Sequence, residues 1–301
     1  MKKDNTKAYI AWTAICIIWG TTYLAIRVGV KDMPPLLFAG LRWIIAGPIF
    51  FSFLKIRGFK LPQKRELKHI AVVGLLLLGV GNGLVAFSEQ WLPSGLTALL
   101  ITTMPFWIVG IESILPNGSS LNLQIISGLI LGLIGVGFIL GVDLKVLFNS
   151  SYLSGIVALM IGVLGWSSGT IYSKHIKLKV HPLMNAAVQM CIAGLGLIII
   201  SGLLGEYPHF YFTRNSFFAF LYLLVFGAFI AYGAYIYVID HLPISFVSTY
   251  AYINPIIALF LGWLILDENL DADLIIASLV ILMAVYIVKK GSNKQVRIRS
   301  V

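Results

Sequence analysis

Ten stretches of this 301-residue chain are each long and apolar enough to cross a lipid bilayer, and no other feature restricts its fold as severely. The hydrocarbon core of a bilayer is about 30 Å thick, which a helix crosses in about 20 residues. Runs of that kind occupy residues 9–27, 36–54, 70–89, 95–115, 121–141, 153–173, 183–204, 216–239, 246–266 and 273–288. The connections are short, and several carry breakers: Met33-Pro34-Pro35, Leu92-Pro93-Ser94, Pro116-Asn117-Gly118, His181-Pro182 and Leu242-Pro243. Lipid leaves every backbone N–H and C=O to be bonded within its own segment, so the runs are expected to be helices. The alternating short strands of an outer-membrane barrel are absent from the sequence. The first run follows Lys2, Lys3 and Lys7 in the manner of a signal peptide. It is too long for such a segment, lacks a small-residue cleavage site and ends in Arg27, so it is expected to stay as a membrane helix. The expected fold class is an all-α integral membrane protein of ten transmembrane helices.

Composition agrees. Hydrophobic residues make up 59% of the chain and charged residues 11%, against about 45–50% and about 25% in soluble domains. In a soluble protein the net charge of +10 would suggest a nucleic-acid partner. Here its distribution points elsewhere. With the N-terminus in the cytoplasm, 17 of the 22 Lys and Arg residues fall in inside segments. Only Lys31, Lys145 and Arg214 lie outside, and Arg27 and Arg42 fall within spans. Such asymmetry is the positive-inside pattern, which predicts both termini in the cytoplasm and removes the nucleic-acid reading. Cys16 and Cys191 both lie in apolar runs, with no disulfide framework or CxxC pattern.

The chain also repeats itself. At an offset of 147, Trp19 aligns with Trp166, Arg27 with Lys174, Pro35 with Pro182, and Ala46-Gly47 with Ala193-Gly194. At 150, Gly83 aligns with Gly233, Leu92-Pro93 with Leu242-Pro243, and Pro105 with Pro255. Two five-helix units are therefore expected, residues 1–146 and 147–290, followed by a basic cytoplasmic tail, 291–301. Five is odd, so the second unit would enter the membrane from the opposite side. Inverted repeats of this kind build secondary transporters, with the substrate site near the midplane between the halves.

Several stretches resemble the EamA family of the drug/metabolite transporter superfamily. They are Trp19-Gly20-Thr21-Thr22-Tyr23 through Arg27, Pro35 to Gly47, Gly79-Val80-Gly81-Asn82-Gly83, Leu92-Pro93-Ser94-Gly95 and Tyr250-Ala251-Tyr252-Ile253-Asn254-Pro255. The likeness runs over about residues 9–290 and implies a ten-helix permease of the plasma (bacterial inner) membrane, both termini inside. It further implies export or exchange of small metabolites or drugs. The family often places a Glu after the fourth helix of each half, as at Asp267-Glu268; the first half reads Leu115-Pro116-Asn117-Gly118 instead.

Few ionisable residues lie inside the spans, and each costs about 2.5–3.5 kcal/mol near a helix centre. Arg42 is expected to face the interior, where it pairs with Glu89 or binds an anionic group of the substrate; the competing account is an arginine snorkelling to the headgroups. Glu112, near the inner end of helix 4, is read as an interfacial acid rather than a proton carrier. Asn82 and its offset partner Tyr232 are candidates for substrate hydrogen bonds, against a role as interhelical glue. Trp19, Tyr23, Trp107, Trp166, Tyr172, Tyr235 and Tyr252 supply aromatic faces for an amphipathic cavity, with about half expected to pack helices or meet lipid instead. Asn254, in the last family-like stretch, joins the candidate binding residues. Pro105 and Pro255 each remove one backbone hydrogen bond, freeing the carbonyls of Ile101 and Ala251, and are candidate hinges. Gly128-xxx-Gly132 and Gly137-xxx-Gly141 are expected to permit close helix packing.

No cofactor or metal is expected. The five histidines sit in loops or at span ends, and the acidic stretch Asp267, Glu268, Asp271 and Asp273 lacks calcium-loop spacing. Gly79-Val80-Gly81-Asn82-Gly83 follows no strand and is not a nucleotide loop. The leading reading is alternating-access transport of a small molecule across the lipid membrane, driven by a coupling proton or a counter-substrate. The rival is an integral membrane enzyme acting on a lipid-linked substrate, which needs a clustered acid, base or metal near one interface. A passive channel needs a continuous polar stripe.

Overall fold

The computed structural model describes residues 5–92, 94–116, 118, 122–140, 152–257 and 272–299, and among these the backbone is helical wherever the sequence is apolar, with no strand. The helices are α1 (Thr6–Val30), α2 (Pro35–Ile56), α3 (Lys64–Ser88), α4 in two pieces (Ser94–Ile101 and Met104–Ile114), α5 (Leu123–Leu140), α6 (Leu153–His175), α7 (Pro182–Leu203), α8 (Arg214–His241), α9 (Ile244–Ile257) and α10 (Ala272–Arg299). Eight are long and apolar enough to cross a bilayer; α5 and α9 contribute shorter apolar segments, Leu123–Phe138 and Ile244–Ile257. The end of the ninth expected span, together with Asp267, Glu268 and Asp271, lies outside the described residues.

Local chemistry sets the helix starts. Pro35 and Pro182 occupy first-turn positions, where a missing N–H costs nothing. The N–H groups of Leu36 and Leu37 donate to the Glu206 carboxylate from the α7–α8 loop, the latter at 2.8 Å. Asn122 Oδ1 accepts from Ile125 N at 2.8 Å, and this cap starts α5 at residue 123 rather than at 121 as expected.

Two helices depart from regular winding at corresponding places. Leu75–Asn82 of α3 and Leu223–Tyr232 of α8 are π-helical. They end at Asn82 and Tyr232, a pair related by the offset of 150. A π turn inserts a residue while keeping the backbone bonded, so it rotates the remainder of the helix without exposing polar groups to lipid.

Contacts between positions related by the sequence offset are reciprocal. Helices α2 and α7 cross so closely that a Cβ on Gly47 would sit 2.6 Å from the backbone nitrogen of Cys191, and one on Gly194 would collide with the backbone nitrogen of Ile44. Gly47 and Gly194 are partners at the offset of 147, and so are Ile44 and Cys191. Trp19 and Trp166, another such pair, meet edge to face at 5.4 Å between α1 and α6. Gly128 of α5 backs onto Val288 of α10, as the close-packing expectation required, whereas Gly137 faces open space.

The ends of α3 and α8 are tied in the same way. Arg27 donates to the backbone carbonyl of Glu89, and Lys174 donates to the carbonyls of Ile239 and, at 3.0 Å, Leu242. A cation at a helix C-terminus satisfies orphan carbonyls and opposes the negative end of the helix dipole. Arg27→Met and Lys174→Met are each expected to cost about 1–2 kcal/mol of stability. Thermal melts of the detergent-solubilised variants check this; two unchanged melts would show that the carbonyls find other partners.

Candidate functional site

Three side chains from α1, spaced one helical face apart, begin the site: Trp19, Thr22 and Ile26. Opposite them stand Arg42 and Trp43 of α2, Asn82 at the end of the π segment of α3, Trp166 of α6, and Gly227 and Tyr232 of α8. These residues line a small, partly open cavity of about 30 Å³. A second, of about 70 Å³, shares Trp19, Thr22, Ile26, Asn82 and Trp166 and adds Tyr23, Val85, Ile101, Met104 and Tyr250. Residues from both stretches of the chain, 19–104 and 166–250, contribute walls.

Asn82 is the polar centre. Its Oδ1 accepts from the Arg42 guanidinium and from Trp43 Nε1, the latter at 3.2 Å. The guanidinium lies 4.5 Å over the Trp43 ring, an arrangement that stabilises a cation away from water. Arg42 is only 3% exposed, and its Nε has no hydrogen-bond partner. In the second unit Tyr232 donates to Gln189 Oε1, and Gln189 Nε2 donates to Asn185 Oδ1 at 2.7 Å. Gln189 is the offset partner of Arg42, as Tyr232 is of Asn82. Both pairs of offset-related positions therefore make a hydrogen bond, with a charge in only one of them.

Aromatic rings surround this pair. Trp19 packs against Tyr235 and Tyr250, each at 5.0 Å, as well as against Trp166. Trp166 Nε1 and Thr170 Oγ1 reach the Tyr235 hydroxyl at 2.9 and 2.7 Å. Tyr235 thus forms a second layer that orients Trp166 rather than lining either cavity.

Of the residues singled out from sequence, Trp19, Tyr23, Arg42, Asn82, Trp166 and Tyr232 line the cavities together. Others go elsewhere. Arg42 does not pair with Glu89: its partner is Asn82, and Glu89 lies seven residues further along, about 10 Å up the helix axis. Glu89 is fully buried, with both carboxylate oxygens lacking a hydrogen-bond partner. Trp107 is 39% exposed on the outside of α4, where a membrane-embedded chain meets lipid. Tyr252 is buried, but its hydroxyl donates to the Leu129 carbonyl and its ring packs on Gly132, making it part of the α5 contact. Asn254 lines neither cavity, but its side-chain amide hydrogen-bonds the hydroxyl of cavity-lining Tyr23 at 3.3 Å, and with its oxygen and nitrogen exchanged its NH2 also reaches the carbonyls of Cys16 and Tyr250 at 3.2 and 3.0 Å. Pro105 stands in the first turn of the second piece of α4, and the interruption precedes it at Thr102–Thr103. Those threonine hydroxyls fold back onto the carbonyls of Leu99 and Leu100 at 2.5 and 2.7 Å.

Glu112, expected as an interfacial acid, is buried and accepts from His175 at 2.8 Å, joining α4 to the end of α6. Among the described residues no group of three or more His, Cys, Asp or Glu side chains is placed to hold a metal ion. Trp43, Thr22 and Gln189 escaped the sequence reading. The offset of 147 applied to Arg42 points directly at Gln189, so that one was within reach.

Comparison with known proteins agrees with this architecture. The model of the EamA-like transporter family matches twice, over residues 6–141 and 153–289. The chain is 37% identical to the inner membrane transporter YedA of Escherichia coli (strain K12), over 92% of its own length and 89% of the relative's. It is 29% identical to the transporter YoaV of Bacillus subtilis (strain 168), covering 93% and 96%, and 27% identical to protein PecM of Dickeya dadantii (strain 3937), covering 93% and 91%. A solved crystal structure shares the fold with a TM-score of 0.76 at 20% identity, over 96% of this chain and 99% of that one. With the family matched over nearly its whole length and a helical framework suited to lipid, the chain belongs to the EamA-like transporter family and is a multi-pass protein of the plasma (bacterial inner) membrane.

Proposed function

We propose that the chain is a secondary-active transporter, an exporter or exchanger. It would carry a small metabolite, amino acid or drug by alternating access, with the Arg42–Asn82 cavity as the substrate site. The observation that carries this reading is that residues of both units wall a cavity too small for cargo. Ligand pockets run to about 300–1,000 Å³, and the two spaces here are about 30 and 70 Å³. The walls must part to admit a substrate, and tilting one unit against the other parts them.

The reciprocal contacts support an inverted two-fold arrangement of units 1–146 and 147–290, with 291–301 as a cytoplasmic tail. Residue i touching j while j's partner touches i's partner is the signature of an isologous interface. The Gly47–Cys191 and Gly194–Ile44 contacts have that form. An axis through this crossing leaves the α2–α7 contact as a pivot, with the interruption at Thr102–Thr103 beside Pro105 and Pro255 in α9 as the hinges.

The sequence carries no nucleotide-binding loop, so a gradient supplies the energy. We assign the coupling proton to Glu89, whose buried carboxylate oxygens have no hydrogen-bond partner, while Arg27 beside it donates to its backbone carbonyl. The test is a counterflow screen in proteoliposomes with amino acids, nucleosides, sugars and cationic drugs. Exchange of at least one class is expected. Exchange of none, with turnover of a lipid-linked substrate, would replace transport by the enzyme reading. On the substrate found, Glu89→Gln is expected to keep exchange and lose proton-driven net transport. Retained proton-driven transport would return the energy source to a counter-substrate.

A further inference from the structure

At one end of the helix bundle, away from the central cavities, a groove of about 620 Å³ opens between the start of α3 and the α6–α7 loop. Arg65, Lys68 and His69 line it from α3, and Lys177 and Lys179 from the loop. The four Lys and Arg side chains are exposed. None is in a salt bridge among the described residues.

One acid, Glu66, lines the same groove, but its carboxylate is occupied. Oε2 accepts from Gln63 N at 2.7 Å, and Oε1 accepts from Lys179 N at 2.6 Å and Val180 N at 3.3 Å. Glu66 therefore fixes the loop against α3 and holds Lys177 and Lys179 over the groove, while its buried oxygens are turned to backbone donors. His69 Nδ1 meets the Tyr172 hydroxyl at 2.8 Å, tying α3 to α6 beneath the cations. Arg65 Nε donates to Gln63 Oε1 at 2.7 Å, which orients the guanidinium and leaves its other two nitrogens available.

Bilayer topology accounts for basic residues at such an end. It does not account for their convergence from two separate segments on one cavity, around an acid whose charge is already satisfied. We propose that this groove binds a phosphate group carrying one or two negative charges, with the anion bridging α3 and the α6–α7 loop. Two sources share that chemistry: the headgroup of an anionic membrane lipid and a free phosphate. The proposal rests on the placement of this end at a membrane surface and not on the transport reading, so a binding measurement tests it alone.

The experiment uses the full-length protein in neutral detergent, with native mass spectrometry and thermal melts as readouts. The probes are short-chain phosphatidylglycerol, phosphatidylcholine of equal chain length and inorganic phosphate. Wild type is expected to retain phosphatidylglycerol over phosphatidylcholine and to melt higher with it. The Lys177→Gln/Lys179→Gln variant is expected to bind about 25-fold more weakly, about fivefold for each charge removed. The Lys177→Arg/Lys179→Arg variant keeps the charge and is expected to keep binding. Competition by millimolar inorganic phosphate would identify free phosphate as the source, and its absence the lipid. Equal retention of the two lipids without phosphate binding, or unchanged affinity in the Gln variant, overturns the proposal.

Discussion

Gly194→Ala is expected to destabilise the protein by about 3 kcal/mol, the upper part of the range for overpacking a tight contact. In a melt of the solubilised protein that is a fall of about 6–12 °C. The three nearest atoms to the new methyl are all backbone: Ile44 N, Trp43 C and, at 2.9 Å, Ile44 Cα. A crowded side chain can rotate away, but here the helices themselves must separate, and α2 carries Arg42 and Trp43 with it. Gly47→Ala meets Cys191 from the other side, with backbone N at 2.6 Å and Sγ at 2.7 Å. Because the two sites share one crossing, their costs are expected to add to less than the sum: helices separated by the first methyl accommodate the second more cheaply. Gly110→Ala is the matched control. It has nothing within 4 Å of the added carbon, so it is expected to melt at or slightly above the wild-type temperature, since Ala outranks Gly in helices. Equal melts for Gly194→Ala and Gly110→Ala would show that α2 and α7 do not cross as closely as described.

What sequence could and could not reveal divides along a physical line. Helices were legible because lipid permits little else, and the family resemblance was legible because it rests on residues such as Trp19 and Pro35 in order along the chain. The burial of Arg42 was legible too, since a charge in an apolar run has to be accounted for. Its partner was not. Choosing between Asn82 and Glu89 requires the rotational phase of α3, and the π segment changes that phase partway along the helix. The aromatic residues could not be sorted for a related reason. A soluble helix shows its buried face as a hydrophobic stripe, whereas a helix in lipid is apolar all round. Nothing local therefore distinguishes Trp107, which faces outward, from Trp43, which stacks under Arg42. The contact of Glu112 was not foreseen because its partner, His175, lies on another helix 63 residues away.

Arg42 itself provides the sharpest separation of function from folding. Arg42→Ala is expected to reduce transport of the substrate found by counterflow about 10- to 100-fold, the equivalent of about 1.5–3 kcal/mol for losing a hydrogen bond made by a charged group. Stability is expected to move little, or upward. Asn82 Oδ1 keeps its second donor, Trp43 Nε1 at 3.2 Å, so truncating Arg42 strands no acceptor. It also removes a buried cation whose Nε is unpartnered and which no acid pairs among the described residues, and such a charge is costly to keep out of water. Arg42→Lys tests whether charge alone suffices. A lysine ammonium carries the charge but cannot both lie flat on Trp43 and present a planar fork, so this variant is expected to lose most of the transport as well. Trp107→Ala, altered on the outer face of α4, is expected to transport normally. If both Arg42 variants transport at the wild-type rate, the substrate does not use this guanidinium, and the arginine serves only to hold α2 against α3. If both instead unfold while Trp107→Ala does not, the stabilising contribution of the Arg42–Asn82 bond exceeds the cost of burying the charge, and the Asn82→Ala variant should then unfold as well.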